Sequence, residues 1–119
     1  MQLKHKYYSY IMKKIHNSPH KWLQNFPFKE RDSHKYSRGE LIIVGGKKEM
    51  IGATMLSAES ALRTGVGSVK IICDRITLPI YSIKFPSLLK KELNSFKEFK
   101  EFVLKNNKSP YLIGPGAGS

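Results

Sequence analysis

The stretch 40-ELIIVGGKKEMIGATMLSAESALRTGVGSVKIIC-73 decides the fold class, because it joins two apolar runs through a helix-like segment. Residues 40–44 form a continuous aliphatic run, which is typical of a strand buried on both faces of a parallel sheet. Residues 53–63 place small and apolar side chains on one stripe, as in a helix packed closely on a sheet. Residues 68–73 predict a second strand. This succession is a βαβ unit, so we expect the α/β class with a right-handed crossover.

The remainder of the carboxyl-terminal half predicts one more helix and one more strand. Residues 76–88 contain two prolines and predict an irregular connection. Residues 89–106 carry apolar side chains at three- and four-residue steps, which indicates an amphipathic helix. Residues 111–113 predict a short third strand that leads into the loop 114-GPGAGS-119. Because three strands with two helices cannot cover a parallel sheet on both faces, we expect this chain to leave one sheet edge open.

The first third of the chain is strongly basic. Residues 1–39 carry 9 basic and 2 acidic side chains, so they hold +7 of the net charge of +12 in the 119 residues. Such an arm attracts phosphate polymers through Coulomb forces, and a small basic nucleic-acid-binding module is therefore an alternative interpretation. We do not expect nucleic acid as the partner, because the basic residues follow no helix-turn-helix, zinc-finger or RNA-recognition pattern.

Two segments precede the βαβ unit. Residues 1–16 have apolar side chains at helical spacing and predict a short helix. Residues 17–39 contain prolines, turn formers and charges, and predict a linker that packs against another surface through Trp22, Phe26 and Phe28.

Cysteine content and apolar runs predict a cytoplasmic protein. Cys73 is the single cysteine, so no intrachain disulfide can form and a reducing compartment is expected. The apolar runs are too short to span a bilayer, and the amino terminus lacks the apolar core of a signal peptide. We therefore expect no membrane partner.

Two glycine loops, residues 45–52 and 114–118, follow predicted strands. Ligands of open α/β sheets bind beyond the carboxyl ends of strands, and glycine lets the backbone approach a phosphate or a ribose. The first loop is not a Walker loop, because its spacing is wrong and Ala53-Thr54 replace the lysine and hydroxyl residues. Residues 65–70, GVGSVK, lie between a helix and a strand, which is the reverse of a dinucleotide fingerprint. The residues alone leave open whether the loops bind a ligand or only form turns.

Candidate catalytic groups are scarce. The four histidines lack the spacing of metal ligands, and Cys73 has no evident histidine partner. Glu40 and Glu49 are the carboxylates near the first loop, and we interpret Glu49 as a solvated charge. We predict no catalytic residue and no metal site in this chain.

Five spaced motifs resemble one family. They are HKYSRG at 34–39, LIIVGG at 41–46, GA at 52–53, ALRTGVG at 61–67 and LIGPGAG at 112–118. In this order they resemble the carboxyl-terminal domain of the ADP- or ATP-dependent NAD(P)H-hydrate dehydratases. The resemblance implies a ribokinase-like, three-layer α/β fold with a mostly parallel sheet, of which this chain is the amino-terminal part. It also implies dehydration of the 6-hydroxy form of NADH or NADPH, coupled to hydrolysis of ADP or ATP.

The resemblance also implies a domain division and a substrate site. Residues 1–33 correspond to a basic extension and the type of linker found in bifunctional members, and residues 34–119 to the amino-terminal part of the dehydratase domain. Gly52 and Ala53, at the head of the first helix, are implied to line the site for the hydrated nicotinamide nucleotide. Two further glycines are implied to face the same ligand from the end of the third strand, namely Gly116 and Gly118.

The sequence departs from the family pattern in two ways. Lys47, Lys48 and Met50 occupy a loop where members often have serine and an aromatic residue. The sequence also contains no GxGD segment, which the family uses for its chemistry beside the nucleotide phosphates. We therefore expect a truncated chain that is inactive alone. The alternative is one piece of a split dehydratase that works with a complementary polypeptide.

Overall fold

The structure, a computed structural model, describes residues 15–26, 28 and 38–114. The strands are β1 (Glu40–Val44), β2 (Ser68–Cys73), β3 (Leu89–Glu92) and β4 (Tyr111–Leu112). The α-helices are α1 (Ile51–Thr64), α2 (Leu78–Lys84) and α3 (Phe96–Lys105). Short 3-10 helices are Pro19–Lys21, Leu23–Asn25 and Lys48–Met50.

The four strands form one parallel sheet in the order β3-β2-β1-β4. Ile43 pairs with Ile71 of β2 on one side and with Leu112 of β4 on the other. The chain therefore advances through β1, β2 and β3 in one direction and then returns to place β4 on the other side of β1. Such a reversal marks the place where ligands bind in open α/β sheets. The predicted α/β class and parallel sheet are confirmed.

One face of the sheet packs against α1 and α2, and we call it the α1–α2 face. Alternate residues of a strand point to opposite faces, and the odd-numbered residues of β1 and β2 point here. The buried residues of this core are Ile43, Ala58, Ala61, Val69, Ile71, Cys73, Tyr81 and Leu88. Because Ala58 and Ala61 are small, α1 can lie close to the sheet, as the small-residue stripe predicts.

The opposite face, which carries the even-numbered residues of β1 and β2, is covered by α3, and we call it the α3 face. Lys70 in the middle of β2 lies over the ring of Phe102, with Nζ 5.9 Å from the ring centroid. The same ammonium pairs with the Glu40 carboxylate at 3.1 Å. None of the residues of α3 is buried, and Phe96 is 80% exposed. The two helical layers on either side of the sheet are therefore held very differently.

Residues 76–88 are not irregular as predicted, because they contain α2. The carboxylate of Asp74 forms the start of this helix: its Oδ1 accepts hydrogen bonds from the backbone N–H groups of Ile76 (3.0 Å) and Thr77 (2.8 Å). Pro79 stands in the first turn, where a missing N–H costs nothing. The prediction failed because the prolines were taken only as breakers.

The helix predicted over residues 89–106 is wrong in its first part. Residues 89–92 form β3, which pairs with β2 and satisfies the hydrogen bonds of its outer edge. Ser95 then separates strand from helix, because its Oγ accepts the backbone N–H of Glu98 at 3.2 Å as an N-cap. The described part therefore contains a four-stranded sheet and three α-helices, rather than the three strands and two helices expected.

The amino-terminal segment is described only in part. The helix predicted for residues 1–16 lies almost entirely outside the described residues. Trp22, Phe26 and Phe28 pack on one another, with ring centroids 5.8 and 5.0 Å apart, yet all three remain exposed. They do not bury against the rest of the described protein, and their packing against another surface stays a prediction. Among the described residues, no helix has the length and apolarity needed to cross a bilayer.

Candidate functional site

A tight corner of two glycines follows β1. The N–H of Gly45 donates to the carbonyl of Ile72 at 2.8 Å. A Cβ at position 45 would lie 2.7 Å from that carbonyl oxygen, so the close approach of the two strands requires glycine. The N–H of Gly46 donates to the buried hydroxyl of Thr54 at 3.0 Å, which ties the corner to α1. Both corner amides are therefore used within the protein.

A cleft of about 600 Å³ opens beside this corner, beyond the carboxyl ends of β1 and β2 and before α3. The residues that line it are Val44, Gly45, Gly46, Lys47, Ile72, Cys73, Asp74, Leu93, Asn94, Ser95, Phe96 and Phe99. Its walls are apolar where Phe96 and Phe99 of α3 face the end of the sheet. The cleft has the position that an α/β sheet gives to ligand sites.

Two polar side chains of the cleft, Asp74 and Asn94, form hydrogen bonds within the protein. The Asp74 side chain accepts hydrogen bonds in the turn that precedes α2. The hydrogen bond from the Thr77 backbone N–H is the main cause that lowers the pKa of its carboxyl group. Asn94 Oδ1 accepts the N–H of Arg75 at 3.1 Å, and Asn94 Nδ2 donates to Glu92 Oε1 at 2.6 Å. These groups fix the loops after β2 and β3, and they are not arranged as an acid and a base.

Two titratable groups behind the cleft are kept neutral by burial. Burial raises the pKa of the Cys73 thiol to about 11, and the charges of Asp74 and Glu92 add to this effect. Burial also raises the pKa of the Tyr81 hydroxyl, although a hydrogen bond with Thr54 works in the opposite direction. A thiol in this state is a poor nucleophile, which agrees with the structural role expected for Cys73.

The residues from β1 onward match a known family. A family model described as NAD(P)H-hydrate dehydratase matches residues 41–119. The chain belongs to the NAD(P)H-hydrate dehydratase family. The resemblance found in the motifs is thereby confirmed.

Individual dehydratases show how much of such a protein this chain represents. The ADP-dependent (S)-NAD(P)H-hydrate dehydratase of Listeria monocytogenes is 28% identical over 107 residues, which cover 90% of this chain and 37% of the relative. The bifunctional NAD(P)H-hydrate repair enzyme of Coxiella burnetii is 33% identical over 92 residues, which cover 77% of this chain and 18% of the relative. The chain thus spans well under half the length of these relatives.

Two solved structures share the fold. A ribokinase-like superfamily protein of Enterococcus faecalis superposes with a TM-score of 0.63 at 25% identity, covering 77% of this chain and 32% of that protein. An ADP/ATP-dependent NAD(P)H-hydrate dehydratase of Bacillus subtilis, co-crystallized with ATP and Mg²⁺, gives a TM-score of 0.51 at 25% identity, covering 56% of this chain and 24% of that protein. The expected ribokinase-like architecture is confirmed.

The structure places the predicted substrate residues of the dehydratase as follows. Gly52 and Ala53 lie in the first turn of α1, both exposed, and neither lines the cleft. A Cβ on Gly52 would meet nothing within 4 Å. Gly116 and Gly118 lie outside the described residues. Gly114 with φ +137° follows β4, the neighbour of β1, so the second glycine loop starts at the same edge of the sheet as the first.

The described residues do not fit ADP or ATP as a bound nucleotide. A nucleotide polyphosphate needs several free N–H groups or cations around it. Both corner amides are used internally, and Lys47 is the one basic residue among the described residues that line the cleft. No group of three potential metal ligands of the His, Cys, Asp or Glu type exists in the described part of the chain. We therefore derive no step of the dehydratase reaction through a nucleotide held by these residues.

Sequence reasoning missed the far side of the cleft. Asn94, Ser95 and Phe96 line it, but they were placed inside a continuous helix. The signal was present as 95-SFKE-98, since serine followed three residues later by glutamate is a helix-start pattern. At α2 the signal was Pro79, since proline is common in the first turn of a helix. Both signals would have placed loops at the carboxyl end of the sheet.

Proposed function

We propose that this chain supplies the first part of an NAD(P)H-hydrate dehydratase domain, where it forms one wall of the site for hydrated NADH or NADPH. The observation that carries the proposal is Gly52. Glycine in a helix costs about 0.5–1 kcal/mol relative to alanine, yet its φ is not positive and nothing described lies within 4 Å of its missing side chain. The fold therefore gives no reason for glycine at position 52. The residue lies beside the point where the strand order reverses between β1 and β4, and its missing side chain leaves room for a ligand there.

We further propose that the 119 residues do not catalyse the dehydration alone. Asp74 and Asn94 are used to fix loops, Cys73 is neutral, and the described cleft contains no acid and base pair facing each other. The sequence contains no GxGD segment. The nucleotide hydrolysis that accompanies the reaction therefore needs residues other than those described.

A second candidate function is one piece of a split dehydratase, and the contrast between the two sheet edges favours it. The outer strand β3 contains Lys90 and Lys91, and lysines on an edge strand discourage pairing with another chain. The opposite outer strand β4 contains no charge and is followed by the exposed Ile113. This edge suits a polypeptide that adds a strand beside β4.

Complementation tests both proposals. The purified chain is mixed with the remaining part of the Listeria dehydratase, which must include its GxGD segment, in the presence of hydrated NADH and ADP. Recovery of the reduced nicotinamide absorbance and release of phosphate are measured together. We expect no conversion by either polypeptide alone and conversion in the mixture. Conversion by this chain alone would overturn the proposed inactivity, and failure to form a complex would overturn the split enzyme.

A pair of variants tests the role of Gly52 in that mixture. Gly52→Leu introduces a good helix former and fills the open space. We therefore expect conversion to be lost while the complex still forms. Arg63→Leu adds the same side chain at the other end of α1, where Arg63 is exposed and pairs only with Glu59. This control should convert normally. A Gly52→Leu mixture as active as the control would remove Gly52 from the substrate site.

A further inference from the structure

Lys47 stands at the mouth of the cleft with no described partner. It follows the glycine corner in an extended conformation, and its carbonyl accepts the N–H of Met50 at 2.8 Å, which closes the short turn before α1. Its side chain is exposed and lines the cleft. No carboxylate of the described residues lies within ion-pair distance of its ammonium group.

The adjacent Lys48 is also exposed, but it differs in its partner and in its position. Its ammonium lies 3.8 Å from the carboxylate of Glu49, both side chains are largely exposed, and it does not line the cleft. The two lysines therefore carry the same charge on neighbouring residues, and only one of them is directed to the cleft by the fold.

Three hydrogen-bond donors of the cleft are already in use. Gly45 and Gly46 donate to Ile72 and Thr54, and the amide of Asn94 donates to Glu92. The Asp74 carboxylate lines the same cleft and opposes an anion there, although its Oδ1 accepts three hydrogen bonds at the start of α2. Among the described residues that line this cleft, Lys47 is therefore the cation that an anionic ligand can contact.

We propose that Lys47 binds a phosphate group of the hydrated dinucleotide substrate and so takes part in substrate specificity. The inference rests on the proposed function, which places that substrate beyond the carboxyl end of β1, where the cleft also opens. A lysine ammonium on a flexible stem acts as a point charge for a phosphate and needs no fixed geometry. Because a single cation does not make the multi-donor cradle of a nucleotide polyphosphate, we assign the contact to the dinucleotide and not to ADP or ATP.

The test compares two lysines and two ligands. The full chain is titrated with NADPH, which carries the same phosphates as its hydrate, and separately with ADP, and the Kd is measured by NMR. We expect Lys47→Ala to raise the Kd for NADPH roughly tenfold, since one charged contact is lost. Lys48→Ala should change it by less than about twofold, because its exposed pair contributes little. Lys47→Arg should restore most of the affinity.

Three results would overturn the inference. They are absence of NADPH binding by the unmodified chain, equal losses for Lys47→Ala and Lys48→Ala, and a Lys47-dependent loss confined to ADP. Complementation separates this failure from that of the proposed function. An active mixture in which Lys47→Ala leaves the KM for hydrated NADPH unchanged refutes the phosphate contact alone. An inactive mixture with Lys47-dependent NADPH binding refutes the dehydratase proposal and leaves the contact standing.

Discussion

Each face of the sheet contains a strand residue that is fully buried, Ile43 on one and Ile42 on the other, but the helices on the two faces are held in different ways. On the α1–α2 face, Ala58 of α1 and Tyr81 of α2 are both 0% exposed. On the α3 face, α3 has no buried residue, and the contact at its centre is a lysine, Lys70, between a carboxylate and the Phe102 ring. Apolar packing covers one face. The other face is covered by a helix without buried residues, which contacts a half-buried lysine.

In the described part of the chain, the face that provides stability is not the face that provides an accessible surface. Full burial of an apolar side chain contributes about 1.5–3 kcal/mol, whereas in a partly buried ion pair such as Lys70–Glu40 the loss of hydration offsets much of the attraction. The α1–α2 face therefore provides most of the folding energy. The cleft, Lys47 and the exposed ring of Phe96 lie on the side of α3. The weakly packed face is thus the one that offers a surface to other molecules.

The largest expected effect comes from one aromatic deletion on each face. Tyr81→Ala removes a fully buried ring from the α1–α2 face and should lower the free energy of unfolding by about 3–5 kcal/mol. Phe96→Ala removes an 80% exposed ring from α3 and should change it by less than about 0.5 kcal/mol. Urea unfolding followed by circular dichroism measures both. Equal losses for the two variants would mean that the faces are not different.

Two glycine substitutions give the next largest difference. In Gly45→Ala the new Cβ would stand 2.7 Å from the Ile72 carbonyl oxygen, so β1 and β2 must separate slightly. Such overpacking should cost about 1–3 kcal/mol. Gly52→Ala adds a Cβ in open space within a helix and should stabilise by about 0.5–1 kcal/mol. Thermal unfolding distinguishes them by the opposite signs of the shift in Tm.

The pH dependence of stability reports on Cys73, which lies in the α1–α2 core. Burial raises the pKa of this thiol from 9.0 to about 11, so the unfolded chain loses the proton at lower pH than the folded protein does. The stability from this group is complete below pH 9 and is lost as the pH rises through about 11. The loss should approach about 3 kcal/mol.

Urea titrations of the natural chain and of Cys73→Ala across that pH range isolate this contribution. The raised pKa of Tyr111 is common to both proteins and cancels in the difference, and so does the larger part of the Tyr81 shift, which comes from burial and not from the charge of Cys73. The variant should be less stable at neutral pH but should lose less stability between pH 9 and 11. Parallel curves for the two proteins would show that the thiol is not protected by the core.

The sequence was sufficient to predict the βαβ unit, and the reason is physical. Residues 40–44 and 68–73 are mainly apolar, and runs of this kind that are buried on both faces form strands of a parallel sheet. The neighbouring glycines mark their boundaries. Residues 89–92, LKKE, carry three charges and offer no apolar pattern. They form a strand because the edge of β2 needs hydrogen-bond partners, which is a tertiary cause that periodicity does not show.

The candidate site was predictable in position but not in its chemistry. Strands followed by glycine loops correctly indicated the carboxyl edge of the sheet, and Gly45 does stand there. Its amide, however, is used by Ile72, so the glycine serves strand packing and not phosphate binding. Only the structure distinguishes such a glycine from Gly52, which has no neighbour within 4 Å. The importance of Lys47 likewise depends on which donors around it are already occupied.

The smallest expected effect tests whether α3 can loosen without the sheet. Ser95→Ala removes the oxygen that accepts the N–H of Glu98 and should destabilise the first turn of α3 by about 1 kcal/mol. Because α3 buries no residue, we expect the loss to appear as faster amide hydrogen exchange in α3, while amides of β1 and β2 stay protected. Ser95→Asp keeps an acceptor at the cap and should behave as the natural chain. If Ser95→Ala instead accelerates exchange in the central strands by the same factor, α3 unfolds together with the sheet. Its packing then contributes to global stability, and the contrast between the two faces disappears.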